Sequence, residues 1–206
     1  MSAQADGDAD KARRKAAGAR HDQFNLVFIP PLVLLTIMSL SGISEAMHYV
    51  LAWSILGYVV LDIVYHIAVP HCQPNATRWV TIVFHHVLVI SLCHHVLTTP
   101  ENVNAAAWAT IVEINTLCQV FHRAFKLKIF QTGFLVTWFT LRLLWYPYLI
   151  YDFHLRMIKI KEPVFGWIWC QTVVAQVLLV GLNIFWTAEF LLSRKKKGQE
   201  SKDKAA

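Results

Sequence analysis

The sequence predicts an all-α fold, a polytopic transmembrane helix bundle of about six spans. Three observations carry this reading. Of 206 residues, 56% are hydrophobic and only 16% charged, against roughly 25% charged in soluble domains. The charges crowd toward the two ends of the chain. Between them, the apolar residues fall into runs long enough to cross a bilayer, which takes about 20 residues of helix because lipid offers the backbone no hydrogen-bond partner. A water-soluble fold of this size cannot cover so much apolar surface.

The expected spans are residues 24–41, 48–68, 79–97, 105–122, 130–150 and 165–192. The first contains Pro30 and Pro31, each costing a helix interior about 3 kcal/mol, so it is expected to be kinked or only partly inserted. The second is bounded by Ser41-Gly42 and by the stretch from Pro70 to Pro74. The third ends at Thr98-Thr99-Pro100, the fourth at the basic stretch Lys126 to Lys128, the fifth before Lys159 to Pro163, and the sixth before Arg194. Residues 1–23 and 193–206 are then basic tails flanking a transmembrane domain at 24–192.

The formal net charge of +6 belongs mainly to those tails. Beside spanning runs it reads as a topology signal and a contact for anionic lipid headgroups, and no nucleic-acid partner is expected. Both tails and the loop with Arg123, Lys126 and Lys128 are basic, which places both termini in the cytosol with an even number of spans. Arg156, Lys159 and Lys161 fall on the opposite side. The sequon Asn75-Ala76-Thr77 then faces the cytosol and stays unmodified. The chain closes on Lys202-Asp203-Lys204-Ala205-Ala206, a Lys-x-Lys-x-x pattern that reads as a dilysine retrieval signal, with a coat complex as the expected partner of Lys202 and Lys204. The N-terminus has no cleavable-signal pattern, and the four cysteines suggest no disulfide framework.

Ionisable residues within spans are costly, about 2.5 to 3.5 kcal/mol for a charge at mid-span, and usually face a bundle interior. In the second span Tyr58, Asp62 and His66 recur every four residues and share one helix face; Asp62 and His66 are either an acid/base pair or simply satisfy each other. The third span carries His85-His86 and His94-His95. The pairs stand about 13 Å apart along the helix, too far to share one metal, and no metal site is expected from this span. The fourth span holds Glu113, Asn115, Thr116, Gln119 and His122, with Asn115 and Gln119 read as interhelical hydrogen-bonding residues. Arg142 in the fifth span needs an anion: Glu113 foremost, Asp62, or a substrate headgroup. Gln176 and Asn183 on the sixth are packing residues, and tryptophans and tyrosines near span ends, such as Trp79, Tyr148 and Trp167, read as interfacial belts.

In these residues the sequence resembles the TLC-domain family, the membrane fold of ceramide synthases, translocating-chain-associating proteins and smaller ER lipid proteins. Gly57-Tyr58-Val59-Val60-Leu61-Asp62 is similar to the family's Gly-Tyr-x-x-x-Asp span, Phe84-His85-His86 to its paired-histidine span, and Glu113-Ile114-Asn115-Thr116 to the Glu-x-Ser-Thr segment of the smaller, non-ceramide-synthase branch. Phe139 to Pro147 with Arg142, and the region of Trp186, match more loosely. The His-Asp-x-x-Asp stretch of ceramide synthases is missing, which points away from classical ceramide synthesis.

The resemblance implies a lipid-handling protein of the ER membrane. As an enzyme it would transfer an acyl chain from acyl-CoA to a lipid amine or hydroxyl. His85 or His86 would be the general base, Asp62 or Glu113 would orient it, and Arg142, Tyr58 and Thr116 would bind substrate; acyl-CoA is a co-substrate, and no bound cofactor is expected. The alternative is a non-catalytic lipid-binding protein that regulates membrane composition or sorts cargo. Both readings require those side chains to surround one shared chamber.

Overall fold

The computed structural model describes residues 2–203, with side chains for residues 7–9 and 11–193. All regular structure among the described residues is helical. Four uninterrupted stretches have the length and hydropathy of membrane spans: Gly7–Leu40, Glu45–Ala68, Ala76–Thr98 and Trp167–Ser193. The first lies within α1 (Ser2–Leu40), and the next two are α2 (Glu45–Ala68) and α3 (Ala76–Thr98). The last joins α8 (Trp167–Trp169) through a π turn at Cys170–Val174 to α9 (Ala175–Asp203), so the helix numbering runs ahead of the span count. The two remaining spans are interrupted rods. One is α4 (Ala105–Thr110) followed by α5 (Glu113–Phe125); the other is α6 (Lys128–Thr137), a π segment at Trp138–Trp145 and α7 (Tyr146–Lys159).

Local chemistry sets these boundaries. Ser44 caps α2 by accepting the Ala46 N–H at 3.2 Å, and Asn75 caps α3 by accepting the Arg78 N–H at 2.7 Å, each satisfying one of the amides a helix start leaves open. At 24 residues α2 is about 36 Å long, enough to cross a hydrocarbon core of about 30 Å. The α4–α5 rod breaks at Ile111–Val112, where the Ile114 and Asn115 amides bond three residues back, to Ile111 and Val112. Lys126 takes a left-handed conformation, φ 58°, and reverses the chain within two residues between α5 and α6. The π turns of the fifth rod precede Pro147, whose ring collides with the carbonyl four residues back in α geometry. Pro30 and Pro31 both lie inside α1, which continues as helix to Leu40. Prolines are tolerated in spans where neighbouring helices re-satisfy the freed carbonyls.

The rods close into a ring. Following contacts around it, α3 packs on α2, α2 on α1, α1 on α5, α5 on α6, α7 on α9, and α9 back on α3. The short helix α4 touches α1, α2, α3 and α7 and so sits inside one end of the ring; its buried Ala105, Ala106 and Ala107 permit that approach. The surface is inverted relative to a soluble protein. Gln176 and Asn183 are 0% exposed while Leu192 is 67% exposed, as lipid on the outside and polar contacts between helices require.

Candidate functional site

A cavity of about 550 Å³ runs along the inside of the ring. Seven residues singled out from the sequence line it together: Tyr58, Asp62, His85, His86, Glu113, Thr116 and Arg142. They cluster in the half nearer the chain termini, where the lining reaches the exposed Arg123 and Pro74. Toward the other end the wall becomes apolar, with Ile55, Leu92, Val96, Phe153, Met157 and Leu179, before finishing at His95, Asn102 and Arg156. The chamber is thus polar at one end, greasy along most of its length, and polar again at its floor.

Asp62 is the centre of the polar end. Its side chain is buried, and three imidazoles approach it from three helices. His21 of α1 donates from Nε2 to Oδ1 at 2.7 Å. His66, one turn along α2, donates from Nδ1 to the Asp62 backbone carbonyl at 2.8 Å and lies 3.4 Å from Oδ2. His86 of α3 brings Nδ1 to 3.3 Å from Oδ2 without the alignment of a hydrogen bond. Outer contacts hold these rings. Asn25 donates to His21 Nδ1 at 3.4 Å, Tyr58 donates to Asn25 at 2.9 Å, and Gln73 donates to His66 Nε2 at 2.8 Å. His66 is thus hydrogen-bonded to the Asp62 backbone, while the carboxylate also faces histidines of other helices.

The expected pairing of Glu113 with Arg142 is not formed. Arg142, 7% exposed, donates from Nε to Asn115 Oδ1 at 2.9 Å, from Nη1 to Asn183 Oδ1 at 3.1 Å and from Nη2 to Thr116 Oγ1 at 3.2 Å. Its guanidinium lies over the Trp138 ring, 5.2 Å from the centroid. Neutral acceptors therefore fix its planar fork. Asn115 also donates to the Phe134 carbonyl and to Thr137, confirming it as an interhelical hydrogen-bonding residue. Gln119, read the same way, lines the cavity. His85 sits beside Trp186, ring centroids 5.5 Å apart, and Arg78 lies over the same indole at 4.9 Å. Near the mouth Asp22 of α1 pairs with Arg123 of α5 at 2.7 Å. Outside the spans, burial foremost and the Asp62 charge second push the Cys72 thiol up from its ordinary range.

The TLC-domain sequence profile matches residues 26–192. The chain belongs to the TLC-domain family. Comparison with curated proteins and with solved structures returns no significant match. The TLC match covers the whole helical ring but starts after His21 and Asp22. Within the family-like motifs the structure separates roles. Tyr58 and Asp62 line the cavity, whereas Gly57 has nothing within 4 Å of where a Cβ would stand and serves no close helix contact.

Sequence reasoning missed His21, Asn25 and Trp186 as site members. His21 and Asn25 lie four residues apart, a helical spacing that placed them on one face, but the tail boundary was drawn between them. The retrieval-signal residue Lys204 lies outside the described residues, as does the side chain of Lys202.

Proposed function

We propose that this TLC-domain protein belongs to the smaller, non-ceramide-synthase branch, resides in the ER membrane with both termini cytosolic, and transfers an acyl chain from acyl-CoA to an amine or hydroxyl of a membrane lipid. One observation carries the reading: a single chamber joins a histidine- and arginine-rich end to an apolar length suited to an acyl chain. The Glu113-Ile114-Asn115-Thr116 segment supports the branch, and the basic loops support the orientation.

In this reaction His86 is the general base, because Asp62 stands 3.3 Å from its Nδ1 and leaves Nε2 to take the proton of the acceptor. The freed oxygen or nitrogen attacks the thioester carbonyl, the carbon–sulfur bond breaks, and the proton returns from His86 to the departing CoA sulfur. Arg142 holds a phosphate or the thioester-side anion, with Thr116 and Tyr58 shaping the pocket beside it. Glu113 faces the same chamber and orients the acceptor.

The test is release of free CoA by the purified protein from acyl-CoA plus a panel of lysolipids and sphingoid bases. His86→Ala is expected to lower release by about 10²–10⁴-fold, the usual worth of a general base, with helicity unchanged. Absence of release across the panel, or equal release by the variant, sinks the enzymatic reading. A specific observation favours the second reading, a non-catalytic lipid-binding protein: Arg142 already holds three side-chain acceptors and Asp62 three imidazoles, a network fitted to recognise a headgroup without turning it over. That protein binds labelled lipid stoichiometrically and releases no CoA.

A further inference from the structure

We propose that His21, Asp62 and His66 form a binding site for one divalent transition metal ion of the Zn²⁺ type, with His86 left outside it. The inference does not rest on acyl transfer; it concerns what holds the polar end of the cavity together.

Geometry comes first. One potential ligand atom from each of His21, Asp62 and His66 lies within 4.8 Å of the others. A tetrahedral ion with bonds of about 2.0–2.1 Å separates its donors by roughly 3.3 Å. His21 Nε2 already stands 2.7 Å from Asp62 Oδ1 and His66 Nδ1 3.4 Å from Oδ2, and from separations within 4.8 Å shifts of up to about 1.5 Å would admit the ion.

Charge comes second. Asp62 is 2% exposed, and among the described residues its ion-pair partners are imidazoles alone, with no lysine or arginine in contact. A buried carboxylate requires a compensating positive charge. A divalent ion shared with neutral imidazoles supplies one.

A separate observation also points to a ligand. His86 is 8% exposed, and its Nδ1 has no hydrogen-bond partner although it faces Asp62 Oδ2 at 3.3 Å. Neither imidazole near Asp62 Oδ2 is hydrogen-bonded to it, so the carboxylate keeps a lone pair for a cation.

Metal-binding histidines donate their second nitrogen to a polar group. His66 meets the Asp62 carbonyl with Nδ1 and Gln73 with Nε2, and on ligation it exchanges one of those bonds for the metal while donating through the other. His21 meets the Asn25 carboxamide at Nδ1, and turning that carboxamide over presents its oxygen to the ring N–H. Imidazole and carboxylate together suit Zn²⁺ and its first-row neighbours, whereas Mg²⁺ and Ca²⁺ require mainly oxygen donors. The expectation of no metal considered the third span by itself; this cluster joins α1 and α2.

The test uses the full chain in detergent or nanodiscs, stripped with chelator, loaded with Zn²⁺ or Co²⁺ and desalted. Metal is counted by mass spectrometry, and Co²⁺ coordination is read by visible absorption. The expected result is one ion per chain, with tetrahedral-type Co²⁺ bands, and affinity lowered at least about tenfold in His21→Gln, Asp62→Asn and His66→Gln. His95→Gln, at the far end of the same cavity, is expected to keep the ion. If Asp62→Asn does not fold, His21→Gln carries the test, since that ring lies at the half-buried mouth. No retained metal, or retention unchanged in His21→Gln and His66→Gln, overturns the proposal. Because the readout is metal rather than CoA, its failure is distinct from failure of the acyl-transfer reading.

Discussion

At the scale of single residues, Arg142 is the most instructive side chain. Its position inside the fifth rod marked it as needing a partner, and it has partners, but they are two carboxamides and a hydroxyl in place of the carboxylate. The sequence shows that a buried guanidinium must be satisfied; it does not show by which of several inward-facing acceptors, because that depends on how the rods are rotated. Replacing Asn183 by leucine removes one acceptor from a cation that stays buried, and the expected cost is about 1–3 kcal/mol, read as a lower midpoint of thermal unfolding in detergent. Arg142→Lys keeps the charge but loses the fork that reaches three acceptors, so affinity for an anionic lipid is expected to fall while the fold persists. Cys72 gives a pH prediction. The thiolate is the reacting form, and burial with the Asp62 charge raises its pKa. Alkylation at neutral pH is therefore expected to be slower than for a free thiol, with its rate–pH midpoint displaced upward. The grouping of Tyr58 and Asp62 was legible for a simpler reason: residues four apart share a face however the helix is rotated.

Among the elements, the order of the helical rods could be read from apolar runs, while only four of the six expected spans are helices of spanning length and hydropathy, and the interruptions of the other two could not be read. The break at Ile111–Val112 contains neither glycine nor proline; it arises because α4 packs inside the ring while α5 occupies the wall, a tertiary demand with no local signature. In α1, by contrast, two prolines are carried within one helix. Caps offer sharper predictions. Asn75→Ala removes the acceptor for the Arg78 amide and is expected to cost about 1 kcal/mol, measurable as reduced thermal stability. Gly166 stands before α8, and a Cβ there would come 2.9 Å from the Pro163 carbonyl oxygen. Gly166→Ala is expected to shift the loop from Pro163 onward and to lower stability by more than a surface alanine substitution, a difference that hydrogen exchange in that segment would register.

For the molecule as a whole, the ring explains why site residues far apart in sequence share one chamber: each wall rod contributes an inward stripe, and closure of α9 on α3 completes the enclosure. The proposed orientation makes a direct prediction. Asn75 is expected to remain unglycosylated in microsomes, whereas a sequon introduced in the loop after α7, around residue 161, is expected to be modified. Sugar on Asn75 would reverse the topology. The pair between Asp22 and Arg123 ties α1 to α5 at an exposed edge, so its contribution is small and weakens with salt; raising ionic strength is expected to ease lipid access without unfolding the bundle.

The helix carrying His21 begins well ahead of the residues by which the family is recognised. A recombinant fragment trimmed to 26–192 would therefore retain the recognisable domain while leaving the Asp62 carboxylate without its nearest imidazole. Inactivity in such a fragment would say nothing about the intact protein, and expression strategies should keep the stretch from Gly18 to Asn25, four of whose residues line the cavity.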